Sequence, residues 1–336
     1  MVEDKAGIAS SHPWVANGQG QVRFGIVGGP PGDWPTLRDF VQMVEGLGFD
    51  SFWRPDHPLL TPDCWTTLAA VAASTQRLRL GSLVSCVLYR NPVLLARMVA
   101  DVDRLSRGRV ILGLGAGDLE HEFRAMGLAF PPVRERQAAL AEALQVVPPL
   151  LRGETVSYQG THCRVDGVTL QPPPAQQPYI PLLVAGGGER TTLRLVAQYA
   201  DASNLAAEDW GGAAATEVEV RHKYEVLQAH CAAVGRPYAS VLRTYHFMPT
   251  LLADSPVALA GKRERLPPQV LAFIGAGALM GTPEQAVERL QALVGAGCQY
   301  FTFAVLDPDT LRLLAERVVP AVVAVASTAV VAVPRS

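Results

Sequence analysis

The chain has 336 residues, of which 49% are hydrophobic, 18% charged and 7% aromatic; that is enough apolar mass to bury a core, which excludes disorder for the bulk. Lys and Arg number 29 against 31 Asp and Glu, a net charge of −2, so there is no general electrostatic grip on nucleic acid or an anionic membrane. The five cysteines (Cys64, Cys86, Cys163, Cys231 and Cys298) are odd in number, widely spaced and without a C-x-x-C pair. A disulfide framework or structural zinc is therefore not expected, and a reducing, cytoplasmic compartment is.

Residues 1–20 lack a basic stretch followed by an apolar one, so no signal peptide is expected and the segment reads as an N-terminal tail. From residue 22 onward, short β-like runs alternate with helical stretches. The runs are 22–27, 51–54, 79–85, 110–115, 181–185, 202–205, 241–250 and 300–305. Helices are expected at 36–47, 65–74, 92–105, 134–151, 191–199, 217–234, 283–294 and 308–318. Such alternation implies parallel strands with helices outside, and apolar residues at consecutive strand positions fit strands covered on both faces. The sharpest helix start is Gly281-Thr282-Pro283-Glu284-Gln285, where Thr282 can cap and Gln285 can complete a capping box.

Two insertions interrupt the pattern. Residues 155–171 read as a hairpin before the fifth strand, and 253–280 follow the seventh. No repeat or linker divides the chain, so the expected fold is a single α/β (β/α)8 TIM barrel over residues 21–322. The apolar run 318–333 falls short of the roughly 20 residues that span a bilayer. Residues 323–336 are expected as an apolar C-terminal tail, and no membrane segment is expected.

A barrel of this kind works at the C-terminal ends of its strands. Those ends carry Arg54-Pro55-Asp56-His57, Ser85, Gly115-Ala116-Gly117-Asp118 and Val184-Ala185-Gly186-Gly187-Gly188-Glu189-Arg190-Thr191-Thr192. The last runs from strand through a glycine turn into a helix, so its N–H groups and the Thr191 hydroxyl could cradle a phosphate; a plain turn is the other reading. The glycines at 113, 115 and 117 fail the dinucleotide spacing, since Asp118 and Glu120 stand where glycine is required. They could instead clear room for a flat ligand. His57 stands at a strand end after Asp56, and a histidine side chain there can donate or accept a proton. His121 lies between Glu120 and Glu122, but adjacent residues diverge and no second His follows at i+4, so no metal is expected.

Together these segments resemble the bacterial luciferase-like monooxygenase superfamily, and within it the branch that uses the deazaflavin coenzyme F420. The pieces include Gly48-Phe49-Asp50-Ser51-Phe52-Trp53-Arg54-Pro55-Asp56-His57, Arg79-Leu80-Gly81-Ser82-Leu83-Val84, Arg90-Asn91-Pro92, Glu122-Phe123-Arg124-Ala125-Met126-Gly127, Ala185-Gly186-Gly187-Gly188 and Gly281-Thr282-Pro283-Glu284, in family order. The resemblance implies a (β/α)8 barrel whose mouth holds F420, or FMN as the alternative. Its phosphate would lie at Gly186, Gly187, Gly188 and Thr191, and its ring near Asp56, Leu83, Val84, Ser85 and Gly117. The Leu83–Val84 peptide is expected to be cis. His57 and Asp118 are the expected catalytic residues, Asp118 standing where some deazaflavin enzymes carry Glu and many relatives Trp.

The implied activity is hydride transfer between F420 and a small organic substrate. An FMN-dependent monooxygenase using O2 and a non-catalytic flavin-binding barrel are the alternatives. A homodimer is compatible with the resemblance. Arg90, Arg190, Arg243, Lys262 and Arg263 are the cations that could meet an acidic cofactor tail or a charged substrate.

Overall fold

The computed structural model describes residues 11–30, 32–207, 214–266, 268–271 and 274–324. All eight expected strands form: β1 (Arg23–Gly28), β2 (Ser51–Arg54), β3 (Arg79–Ser82), β4 (Val110–Gly115), β5 (Leu182–Ala185), β6 (Ala202–Ala206), β7 (Leu242–Leu252) and β8 (Tyr300–Val305). They pair in parallel in the order β7-β8-β1-β2-β3-β4-β5-β6, and β6 pairs back to β7. The ring is closed, and the protein is a (β/α)8 barrel.

The intervening helices are α1 (Trp34–Gly46), α2 (Cys64–Ser74), α3 (Pro92–Ser106), α4 (Val133–Leu151), α5 (Thr192–Tyr199), α6 (Glu217–Ala233), α7 (Pro283–Gly295) and α8 (Pro308–Leu313). Asp33, Asp63, Asn91, Thr282 and Asp307 cap α1, α2, α3, α7 and α8 by accepting a backbone N–H. The capping box expected at Thr282 and Gln285 is present.

Two layers of apolar packing hold the barrel. Outward strand residues such as Phe52, Leu80, Leu112 and Val184 join the helices in the larger core. Inward residues Trp53, Ile111, Leu183, Leu242 and Tyr300 fill the barrel. Gly81 is required here, because a Cβ at that position would overlap the Trp53 ring.

Residues 11–20, read as tail, contain a short helix (Pro13–Ala16) whose Trp14 is only 1% exposed. Trp14 lies edge-on to Tyr300, with the Arg23 guanidinium over both rings, and plugs the N-terminal end of the barrel. The expected run 79–85 is divided: β3 ends at Ser82, the Leu83–Val84 peptide is cis as expected, and Ser85–Cys86 pairs with β4. The hairpin before β5 forms from Val156–Gln159 and Arg164–Val168. The insertion after β7 holds the helix Pro256–Glu264 and a strand the sequence reading did not anticipate, Leu279–Gly281, which pairs with β7 outside the ring. Of the expected C-terminal tail, residues 325–336 lie outside the described residues. Among those described, no helix is long and apolar enough to cross a membrane.

Candidate active site

The mouth is assembled from loops that follow β2, β3, β4 and β5. His57 follows β2, and its Nδ1 lies 2.7 Å from Oε2 of Glu122 on the short helix Glu120–Ala125 after β4. Glu122 is fully buried and also accepts from the Leu59 N–H at 3.3 Å and the Tyr89 hydroxyl at 3.3 Å. Burial pushes the Tyr89 phenol above its ordinary pKa, so it remains a donor. A carboxylate against Nδ1 assigns the proton of neutral His57 to that nitrogen and leaves Nε2 as the acceptor.

Asp56 points elsewhere. It is 3% exposed and takes a two-pronged contact from Arg90, at 2.6 and 3.0 Å, plus the Cys86 N–H at 3.2 Å. Arg90 also reaches Asp63, the cap of α2, at 2.9 Å. This cluster ties the ends of β2 and β3 to α2, so the Asp56 carboxylate is spent within the protein. Ser85 is likewise engaged, its Oγ accepting from Trp65 Nε1 at 3.1 Å. Burial raises the Cys86 thiol to about 12, which keeps it protonated.

Leu83 and Val84 pack on the inner cluster, as do Ala185 and Ala304, and give the mouth an apolar lining. Gly117 has φ of +81°, and a Cβ there would approach Cys86 Sγ to 2.9 Å and Phe123 to 3.0 Å. Asp118 follows, half-buried, with its Oδ1 accepting the Leu119 N–H at 3.0 Å. It shares the β4 rim with His57's partner Glu122, and among the described residues it forms no hydrogen bond with His57.

The glycine turn stands where expected. Gly186 has φ of +121° and donates to the Asn204 carbonyl, while Gly188 accepts from Leu193. Helix α5 begins at Thr192 after Thr191 with no side-chain cap, so the partial positive charge of its N-terminus faces the glycine turn.

The candidate cations are mostly spent. Arg90 is paired as above, Lys262 lies 2.8 Å from Asp307, and Arg243 donates to the Gly297 and Val241 carbonyls with Tyr238 beneath it. Among the described residues, no three His, Cys, Asp or Glu side chains gather as a metal site. Sequence reasoning noticed Glu122 as a neighbour of His121 and as the first residue of a family-like segment, without a site role; no local signal couples it to a histidine 65 positions away. It gave no role to His246, which faces the barrel interior from β7.

Residues 9–300 match the profile of the family described as "Luciferase-like monooxygenase". A curated relative, the F420-dependent glucose-6-phosphate dehydrogenase of Kineococcus radiotolerans, is 37% identical over 164 residues, covering 46% of this chain and 48% of the relative. The enzyme of the same name from Microbacterium testaceum is 32% identical over 173 residues, covering 49% and 50%. The chain thus spans about half the length of the curated relatives it matches. A solved F420-dependent secondary alcohol dehydrogenase, in complex with an F420-acetone adduct, superposes with a TM-score of 0.76 at 19% identity, covering 90% of this chain and 99% of that one. At that identity the likeness shows a common fold.

Proposed function

The chain belongs to the luciferase-like monooxygenase family, and from that premise we propose that it is an oxidoreductase passing a hydride between coenzyme F420 and a small organic substrate. One observation carries the choice of cofactor: both curated relatives are named as F420-dependent dehydrogenases, at 37% and 32% identity over about half their length. The residues present fit such a group. The uncapped start of α5 behind Gly186, Gly187 and Gly188 suits a phosphate, and the apolar lining of Leu83, Val84 and Ala185 suits one face of a flat ring. The five free cysteines, four of them buried, support a cytoplasmic setting.

When bound, F420 supplies two-electron hydride chemistry. The protein supplies placement and proton handling. His57, oriented by Glu122, has Nε2 free to take the proton of a substrate hydroxyl during oxidation. The resulting imidazolium is stabilised by the buried carboxylate on its other side. In the reverse direction the same imidazolium returns the proton to the substrate oxygen. Asp118, on the β4 rim, is the second candidate donor.

Equilibrium titration with F420 and with FMN, followed by fluorescence, tests the reading. F420 should bind at least about tenfold more tightly, a difference of 1.4 kcal/mol. Preference for FMN would replace F420 with an oxygen-using flavin reaction, and tight F420 binding without turnover of any alcohol or carbonyl compound would leave a carrier.

A further inference from the structure

In the closed ring β7 stands four strands from β3 in either direction, so its inward residues look across the mouth at Leu83 and Val84. His246 is one of them. It lies two residues beyond Thr244, whose Oγ1 donates to Asn204 at 2.7 Å. It is in register with Ala206, the last residue of β6, and with Thr302 of β8. That register places it at the C-terminal end, level with the mouth. The ring is 8% exposed, with Nδ1 3.0 Å from Thr302 Oγ1. Its Nε2 has no partner among the described residues and is not one of the unpaired atoms sealed from solvent, so it opens onto the mouth.

The chemistry of this wall is uncharged. Burial lowers the His246 pKa to about 4, so the imidazole is neutral at physiological pH. The Thr302 hydroxyl can give a proton to Nδ1 or take one, so Nε2 can present either a lone pair or an N–H. Around it, Val27, Ala185 and Ala304 are apolar and mostly small. Three of the cations are already matched: Arg90 with Asp56 and Asp63, Lys262 with Asp307, and Lys223 with Glu189.

We propose that His246 is a specificity-determining residue whose Nε2 hydrogen-bonds an uncharged hydroxyl or carbonyl group of the substrate, across the mouth from Leu83 and Val84. The substrate class is a small alcohol or carbonyl compound with an apolar body. This rests on the reading of the β3 wall as the back of the cofactor site.

The test uses cyclohexanol and cyclohexanecarboxylate as neutral and anionic probes of similar size, with binding to the F420-loaded protein measured by calorimetry. His246→Phe keeps a ring but removes the nitrogens; His246→Gln restores a hydrogen-bonding group. Cyclohexanol should bind His246→Phe about five- to tenfold more weakly, the effect of one lost neutral hydrogen bond, and His246→Gln should recover most of that loss. The F420 dissociation constant should change by less than about twofold in both variants, since the proposal places no cofactor contact on His246. The carboxylate should bind the wild-type protein more weakly than the alcohol.

Undiminished cyclohexanol affinity in a His246→Phe protein that still binds F420 overturns the proposal, and so does a preference for the carboxylate. Failure of the wild-type protein to bind F420 is a separate result that removes the cofactor reading. The cofactor-free protein then decides the inference through the side-chain nitrogen resonances of His246. A shift of Nε2 on adding cyclohexanol supports it, and an unmoved resonance sinks it.

Discussion

The Nδ1 atom of His57 lies 2.7 Å from Oε2 of Glu122, a fully buried carboxylate contributed by a different βα loop. The pair orients the imidazole and assigns its proton, so the free nitrogen faces the mouth with a defined role. Replacing His57 by Asn should lower turnover by about 10²–10⁴ while leaving the F420 dissociation constant unchanged. Steady-state kinetics at saturating cofactor separates the two. Collapse of cofactor affinity with turnover retained would make His57 a binding residue. Asp118→Asn is the contrast: its Oδ1 serves a neighbouring N–H, and full activity there would leave His57, or solvent, as the proton source.

Glu122→Gln keeps an oxygen that can accept the Nδ1 proton but removes the negative charge that stabilises the imidazolium. The expected loss in kcat is about 10–100-fold, as when the hydrogen-bond partner of a functional histidine is replaced. The pH–rate profile should move with it, because the imidazolium loses its carboxylate partner. An unmoved profile would confine Glu122 to a packing role.

Gly187→Asp should weaken F420 binding by more than about tenfold, because a carboxylate would stand where a phosphate is expected at the start of α5. Fluorescence titration measures it, with circular dichroism to show that the variant folds. Equal affinity would remove the turn from the site.

Asp56→Ala should be a stability variant before it is a catalytic one. Its side chain is 1% exposed and answers the Arg90 guanidinium at 2.6 Å. Removing one member of a buried pair typically costs about 3 kcal/mol or more, although Asp63 remains on Arg90. Denaturant titration should show an earlier midpoint with an unchanged slope. A shift within experimental scatter would mean the pair contributes nothing net.

His246 also links stability to pH. Its folded-state pKa of about 4 lies below the unfolded value of 6.5, so between these values the unfolded chain binds more protons. The contribution is complete above pH 6.5 and is lost as the pH falls towards 4, by about 3 kcal/mol in all. His246→Gln lacks this loss. The stability gap between wild type and variant should therefore shift in favour of the variant by that order between pH 7.5 and pH 4.5, read from denaturant midpoints. A gap independent of pH would show that His246 titrates normally.

Much of the architecture was legible in the sequence because its causes are local. Consecutive apolar residues at 110–112 and 182–184 mark strands covered on both sides, and Thr282, Pro283 and Gln285 write a helix start within four positions. The glycines at 186–188 announce a turn that a phosphate can approach. The partnerships inside the site have no local cause. His57 finds Glu122, and Asp56 finds Arg90, only because β2, β3 and β4 end together on one face of the barrel. His246 faces Leu83 and Val84 because the ring closes between β6 and β7, which sets β7 opposite β3. Residue type determined which groups could exchange protons or hold an anion. Closure of the sheet, and the desolvation it imposes, decided which carboxylate is structural, which histidine is left neutral, and which nitrogen looks into the mouth.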